Sequence, residues 1–130
     1  MPMTITSLYA IVLTMGMLIL FVMVSKTRAD VQVAVGDGGD MHLLERIRRH
    51  GNFMEWVPIT LILMALAELQ GVSAAWLHAA GVLTVAGRMI HPFGLRANAP
   101  AHPLRIAGNS GNFLAVFLLI YVLGRIVYFA

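Results

Sequence analysis

Cysteine is absent from this 130-residue chain, and charge is scarce at 12% of residues. Without a thiol there is no disulfide, no thiolate metal ligand and no protein sulfur nucleophile, so any thiol chemistry must use a thiol brought by a ligand. No phosphate-binding glycine loop, dinucleotide fingerprint or zinc spacing occurs. His42 and His50 stand eight apart with no supporting ligands, so no metal site is expected. What fills the chain instead is apolar: 59% of residues are hydrophobic and the mean hydropathy is +0.82. Soluble domains have about 45–50% apolar and about 25% charged residues. The composition is that of a membrane protein, and the length allows one domain.

Four apolar segments follow one another. The first, about 5–25, has the ~20 residues a bilayer helix requires. Residues 1–7 contain no Lys or Arg, which argues for a retained anchor over a cleaved signal. Ser25 to Asp40, rich in glycine and aspartate, predicts a flexible connection, with Asp40 as N-cap of the next helix. The second span, about 41–70, is polar in its first turns and apolar from Phe53, with Pro58 expected to bend it. Gly71-Val72-Ser73 predicts a tight antiparallel return. The third span, about 74–91, begins near Trp76 and His78, both expected as interfacial, as is Glu68 at the end of the second. Pro92 to Pro103 reads as a loop, and 104–129 as the fourth span. Its small residues predict close helix approach, with Asn109, Ser110 and Asn112 able to bond across it. The fold class is an all-α integral membrane four-helix bundle.

The net charge of +3 would suggest nucleic acid in a soluble protein, but the positions give a different reason and no such partner is expected. Of the nine basic residues, only Arg125 lies away from the first and third connections. The positive-inside rule places those connections in the cytoplasm and both termini outside. Lys26, Arg46, Arg49, Arg96 and Arg125 fit ordinary topology markers that snorkel to headgroups.

The stretch Glu45 to Trp56 departs from that background. On a helix Glu45, Arg48, Asn52 and Glu55 share one face. A guanidinium, a carboxamide and carboxylates in one stripe at a membrane helix mouth suit a zwitterionic ligand. Arginine binds carboxylates through its planar fork, and Glu55 would answer an ammonium group. Structural hydrogen bonding between helices is an equal reading of the spacing alone.

The run Arg48-x-His50-x-Asn52-x-x-Glu55, then Pro58, resembles the second-helix motif of the MAPEG superfamily, the membrane-associated proteins in eicosanoid and glutathione metabolism. Gly87-Arg88-Met89-Ile90-His91 is similar to the third-helix Arg-x-x-His of its prostaglandin E synthase branch, and the four-helix layout matches throughout. The resemblance implies a homotrimer in a bacterial inner membrane, with glutathione as thiol co-substrate bound between subunits near the cytoplasmic face. It implies a transferase or peroxidase acting on small hydrophobic electrophiles drawn from membrane lipid. Arg28, Arg48, His50, Asn52, Glu55, Arg88 and His91 would then hold glutathione, and Arg105 would stabilise its thiolate. Trp56 and Leu95 stand where members often carry tyrosine. That departure favours a second reading, a non-catalytic lipid-binding protein on the same scaffold.

Overall fold

The computed structural model describes residues 2–129. They form four helices, α1 (Thr4–Val31), α2 (Met41–Leu69), α3 (Ala74–Gly94) and α4 (Pro103–Phe129), with no strand among the described residues. α1, α2 and α4 are each long and apolar enough to cross a membrane. α3 is not among them, because His78, Arg88 and His91 interrupt its apolar run. Its 21 residues still make about 32 Å of helix, matching a hydrocarbon core of about 30 Å. The two buried members of that set, Arg88 and His91, face the bundle interior, where other helices rather than lipid receive them.

The boundaries differ from expectation at two helix ends. α1 runs to Val31, about one and a half turns beyond the apolar run. Lys26, Arg28 and Asp30 are adequate helix formers once outside the hydrocarbon, and Gln32, with φ 55°, ends the helix in the left-handed region. α3 continues through Pro92 to Gly94, so the third connection is shorter than the sequence suggests. The Asp40 N-cap forms as expected, its carboxylate accepting from Leu43 N at 2.7 Å. α2 is continuous through Pro58.

α1 packs on α2 and α3 and does not touch α4. α3 and α4 form the most intimate pair, because glycines line their seam. A Cβ built on Gly87 would lie 2.6 Å from the Gly108 carbonyl oxygen, so no larger residue fits at that crossing. The core has two parts. Tyr9, Met64, Leu77, Ala80, Ala115 and Leu119 fill the end near the short α2–α3 turn, and Leu13, Phe53 and Val57 fill the middle.

Glu68 does more than mark an interface. Its carboxylate accepts from the backbone N–H groups of Ile5 at 2.9 Å and Thr6 at 2.7 Å. α1 has no side-chain cap of its own, so α2 supplies an anion to its positive end. His78 is exposed, and its Nδ1 bonds the Tyr9 hydroxyl at 2.9 Å.

Candidate functional site

A polar groove of about 240 Å³ lies between the first turns of α2 and the α3–α4 connection. Met41, Leu44, Glu45, Arg48 and Asn52 form one wall, the stripe that the three- and four-residue spacing predicts. Leu95, Arg96, Ala97, Pro100 and Arg105 form the other. Glu55 continues the stripe beyond the groove and pairs with Arg48 at 3.3 Å, both side chains half exposed. An exposed pair of this kind contributes at most about 1 kcal/mol, so both partners can turn to a ligand.

The connection is held in place by two charges at the base of the wall. Glu45 accepts from Arg49 Nη2 at 3.0 Å and from the Ala97 backbone N–H at 2.8 Å. Arg49 donates Nε and Nη2 to the Leu95 carbonyl at 3.1 and 3.0 Å. Arg49 is thus a structural clamp and not a snorkelling marker. Arg46 likewise turns inward, donating to the Met23 carbonyl at 3.1 Å. With Glu45 engaged by Arg49, the groove retains Arg48, Arg96 and Arg105 as cations. Arg105 donates to Pro100 O at 3.2 Å and Arg96 Nε to Phe93 O at 3.2 Å.

Arg88 sits behind this groove, 1% exposed. It donates to Asn52 Oδ1 at 2.7 Å, Asn109 Oδ1 at 3.1 Å and Gly108 O at 3.2 Å, joining α2, α3 and α4. An arginine only donates, so the Asn52 oxygen must face it and the amide nitrogen is left for the groove.

Of the residues expected to hold a ligand, the fold brings Arg48, Asn52 and Arg105 to one groove, with Glu55 adjoining through Arg48. Arg88 reaches it through Asn52. His91 is buried in the α3–α4 seam against Gly108. His50 turns to α1, its ring 6.0 Å from that of Phe21. Arg28 closes the first connection, donating to Val33 O at 3.3 Å and Gly36 O at 2.7 Å. Arg96 is the groove residue that sequence reasoning missed. It follows α3 in an irregular segment, where no helical period could assign it a face. Arg49 carried one usable signal, its position four residues after Glu45.

A second groove, of about 300 Å³, runs between α1, α2 and α3 and is lined mainly by apolar side chains, with three arginines among them. Arg96 lines both grooves, and the Arg88–Asn52 bond lies between them.

The chain is thus a four-helix membrane bundle with a cationic groove beside an apolar one. The sequence profile of the MAPEG family matches residues 6–124, and the chain belongs to that family. It is 32% identical over 119 residues, 89% of this chain and 87% of the relative, to the Inner membrane protein YecN of Escherichia coli strain K12. The protein of the same name from Escherichia coli O6:H1 strain CFT073 matches to the same extent, 32% over 119 residues. No solved structure matches the chain. The chain is an integral membrane protein of this family.

Proposed function

We propose that this is an inner-membrane glutathione-dependent transferase that joins the thiol to hydrophobic electrophiles arriving from the bilayer. The observation that carries the reading is the polar groove. Arg48 and Asn52 on one wall face Arg96 and Arg105 on the other, and the Glu55 carboxylate lies just beyond, paired with Arg48. Glutathione presents two carboxylates, one ammonium and one thiol. Arginine forks suit the carboxylates, and Glu55 suits the ammonium, releasing Arg48 from its present pair.

The chemistry asked of the protein is modest. A free thiol has a pKa of about 8.5, and each unit of depression corresponds to about 1.4 kcal/mol in favour of the thiolate. We assign that role to Arg105, whose guanidinium makes a single hydrogen bond, to the Pro100 carbonyl. The thiol proton passes to water, and the sulfur lone pair forms a carbon–sulfur bond as the leaving group departs with its electron pair. At a peroxide oxygen the same thiolate would act as reductant, a second thiol completing the disulfide. The apolar groove gives the acceptor a route from lipid to the wall formed by Arg88 and Asn52. A homotrimer, in which neighbouring subunits close the open flank of each groove, is part of the proposal.

Calorimetric titration of glutathione into the detergent-purified protein tests the first claim. Saturable binding is expected, and Arg48→Ala is expected to weaken it about tenfold or more, the loss of one charge-assisted bond of about 1.5–3 kcal/mol. No heat at millimolar glutathione from a folded protein would overturn it. Arg105→Ala should lower turnover of a nitro-substituted aryl chloride more than it lowers thiol affinity. Equal losses would remove the thiolate role from Arg105.

One observation favours the lipid-binding reading. No hydroxyl replaces the family's tyrosines in the groove, since Trp56 packs on Phe113 at a ring distance of 4.8 Å and Leu95 engages Arg49 through its carbonyl. Lipid affinity without turnover of any electrophile would select that reading.

A further inference from the structure

The apolar groove has a charge pattern that its walls do not explain. Gly16, Ile19, Leu20 and Met23 of α1 form one side, Phe53 the floor, and Met89, Pro92 and Phe93 of α3 the other. Gly16 to Met23 spans about 10 Å of helix. Ile19 and Phe93 are exposed on its rims, so in a bilayer the groove opens sideways to lipid tails. Three arginines, Arg49, Arg88 and Arg96, line it, and no carboxylate does.

Those three charges are not equally answered. Arg49 pairs with Glu45 at 3.0 Å. Arg88 has no carboxylate partner; among the described residues the ion pairs are Arg48–Glu55 and Arg49–Glu45. Its partners are neutral oxygens, and its Nε is buried with no hydrogen-bond partner. Arg96 is exposed and uses only Nε, on a backbone carbonyl. Two positive charges are therefore left without a counter-charge beside an apolar trough. A buried guanidinium without a nearby anion is costly in a medium of low dielectric constant, and an anion at the groove mouth offsets that cost.

The depths are ordered consistently. Gly16, Phe53 and Met89 lie towards the membrane centre along their helices, as does Arg88 with its neutral oxygen partners, whereas Met23, Arg49 and Arg96 lie at the end where the basic connections gather. A molecule with its anionic group at Arg96 and an apolar chain running towards Gly16 satisfies both features at once. We infer that this groove is a binding site for an anionic phospholipid, its phosphate at Arg96 and one acyl chain between α1 and α3. The site does not depend on the polar groove taking a thiol, although Arg96 lines both grooves and would be shared between the two ligands. Where the polar groove does so, the bound lipid occupies the acceptor's route and must be displaced by it.

Native mass spectrometry of the detergent-purified full chain, titrated separately with phosphatidylglycerol, phosphatidylethanolamine and phosphatidylcholine, tests the inference. One phosphatidylglycerol per chain is expected to bind saturably, with the other two lipids lost at lower collision energy. Arg96→Gln should weaken phosphatidylglycerol binding about fivefold, the effect of roughly one arginine at an anionic surface. Gly16→Leu should abolish it by filling the trough; a Cβ there lies 2.8 Å from the flexible Met89 terminal methyl. Ile19→Trp blocks the trough from its exposed rim and decides the matter alone if Gly16→Leu does not fold. Equal retention of all three lipids would overturn the inference, as would undiminished phosphatidylglycerol binding in the folded Ile19→Trp protein. Filled variants that change subunit number while keeping their lipid would assign the groove to a second copy of this chain. Lipid is counted directly, so a failure of glutathione to bind leaves this test intact.

Discussion

Arg88 holds three helices with one side chain, and its planar fork is what makes that possible. Asn52, Asn109 and the Gly108 carbonyl each accept from it. Removing the fork leaves three acceptors without a donor, two of them side chains that can find others. Arg88→Ala is expected to destabilise the protein on the order of 2 kcal/mol, the low end for losing charged hydrogen bonds given how modest such bonds are within membranes. Arg88→Lys should restore little of it, because one ammonium cannot span acceptors on two helices in the guanidinium's geometry. Thermal unfolding in detergent measures both, and full rescue by lysine would reduce Arg88 to a simple charge. Glu68 is a smaller case of the same kind. Glu68→Gln keeps the shape but removes the charge from the α1 N-terminus, with an expected loss of about 0.5–1 kcal/mol. Faster hydrogen exchange at the Ile5 and Thr6 amides would report it, and unchanged exchange would count against the cap. Neither role is visible locally, since every partner lies at least twenty residues away along the chain.

α3 is the helix on which residue chemistry becomes architecture. It tolerates Arg88, His91 and Thr84 because they are buried against protein. Its glycines let α4 approach until backbone meets backbone. Gly87→Ala is expected to destabilise by about 1–3 kcal/mol through overpacking against Gly108. Gly124→Ala provides the contrast, since nothing lies within 4 Å of its Cβ and alanine gains about 1 kcal/mol over glycine in a helix interior. Melting temperatures that move in opposite directions would support this seam. A common direction would contradict it. The α2 stripe shows how far element-scale reasoning reaches from the sequence. Helical period alone places Glu45, Arg48 and Asn52 on one wall, and the fold keeps them there. The opposite wall belongs to an irregular segment, for which no period exists.

For the whole molecule, the absence of cysteine becomes an experimental advantage. Single cysteines can be introduced at Gly36 in the first connection and at Ser73 in the short turn without removing any native thiol. Basic residues gather at the first and third connections, so the expected orientation has those in the cytoplasm. An impermeant maleimide applied to intact spheroplasts should label Ser73→Cys and spare Gly36→Cys. The reverse pattern would turn the molecule over and place the polar groove outside.

The number of spans, their approximate limits, the Asp40 cap and the family motif were all determined by the sequence. Each depends on neighbours within a few positions or on summed hydropathy, and both survive without knowledge of the fold. The sequence also marked the arginines, but only the tertiary structure assigned their work. Arg49 became a clamp, Arg88 a buried link, Arg28 a loop tie, and Arg96 a shared wall of two grooves. The reason is physical: a guanidinium on a long stem reaches several acceptors. Those of Arg49 and Arg88 are mostly backbone carbonyls and side-chain amides twenty or more residues away, while Arg28 and Arg96 close on carbonyls within eight residues. Every residue has such a carbonyl, so no residue type announces it, and only the packing of α3 against α2 and α4 decides which ones come within reach.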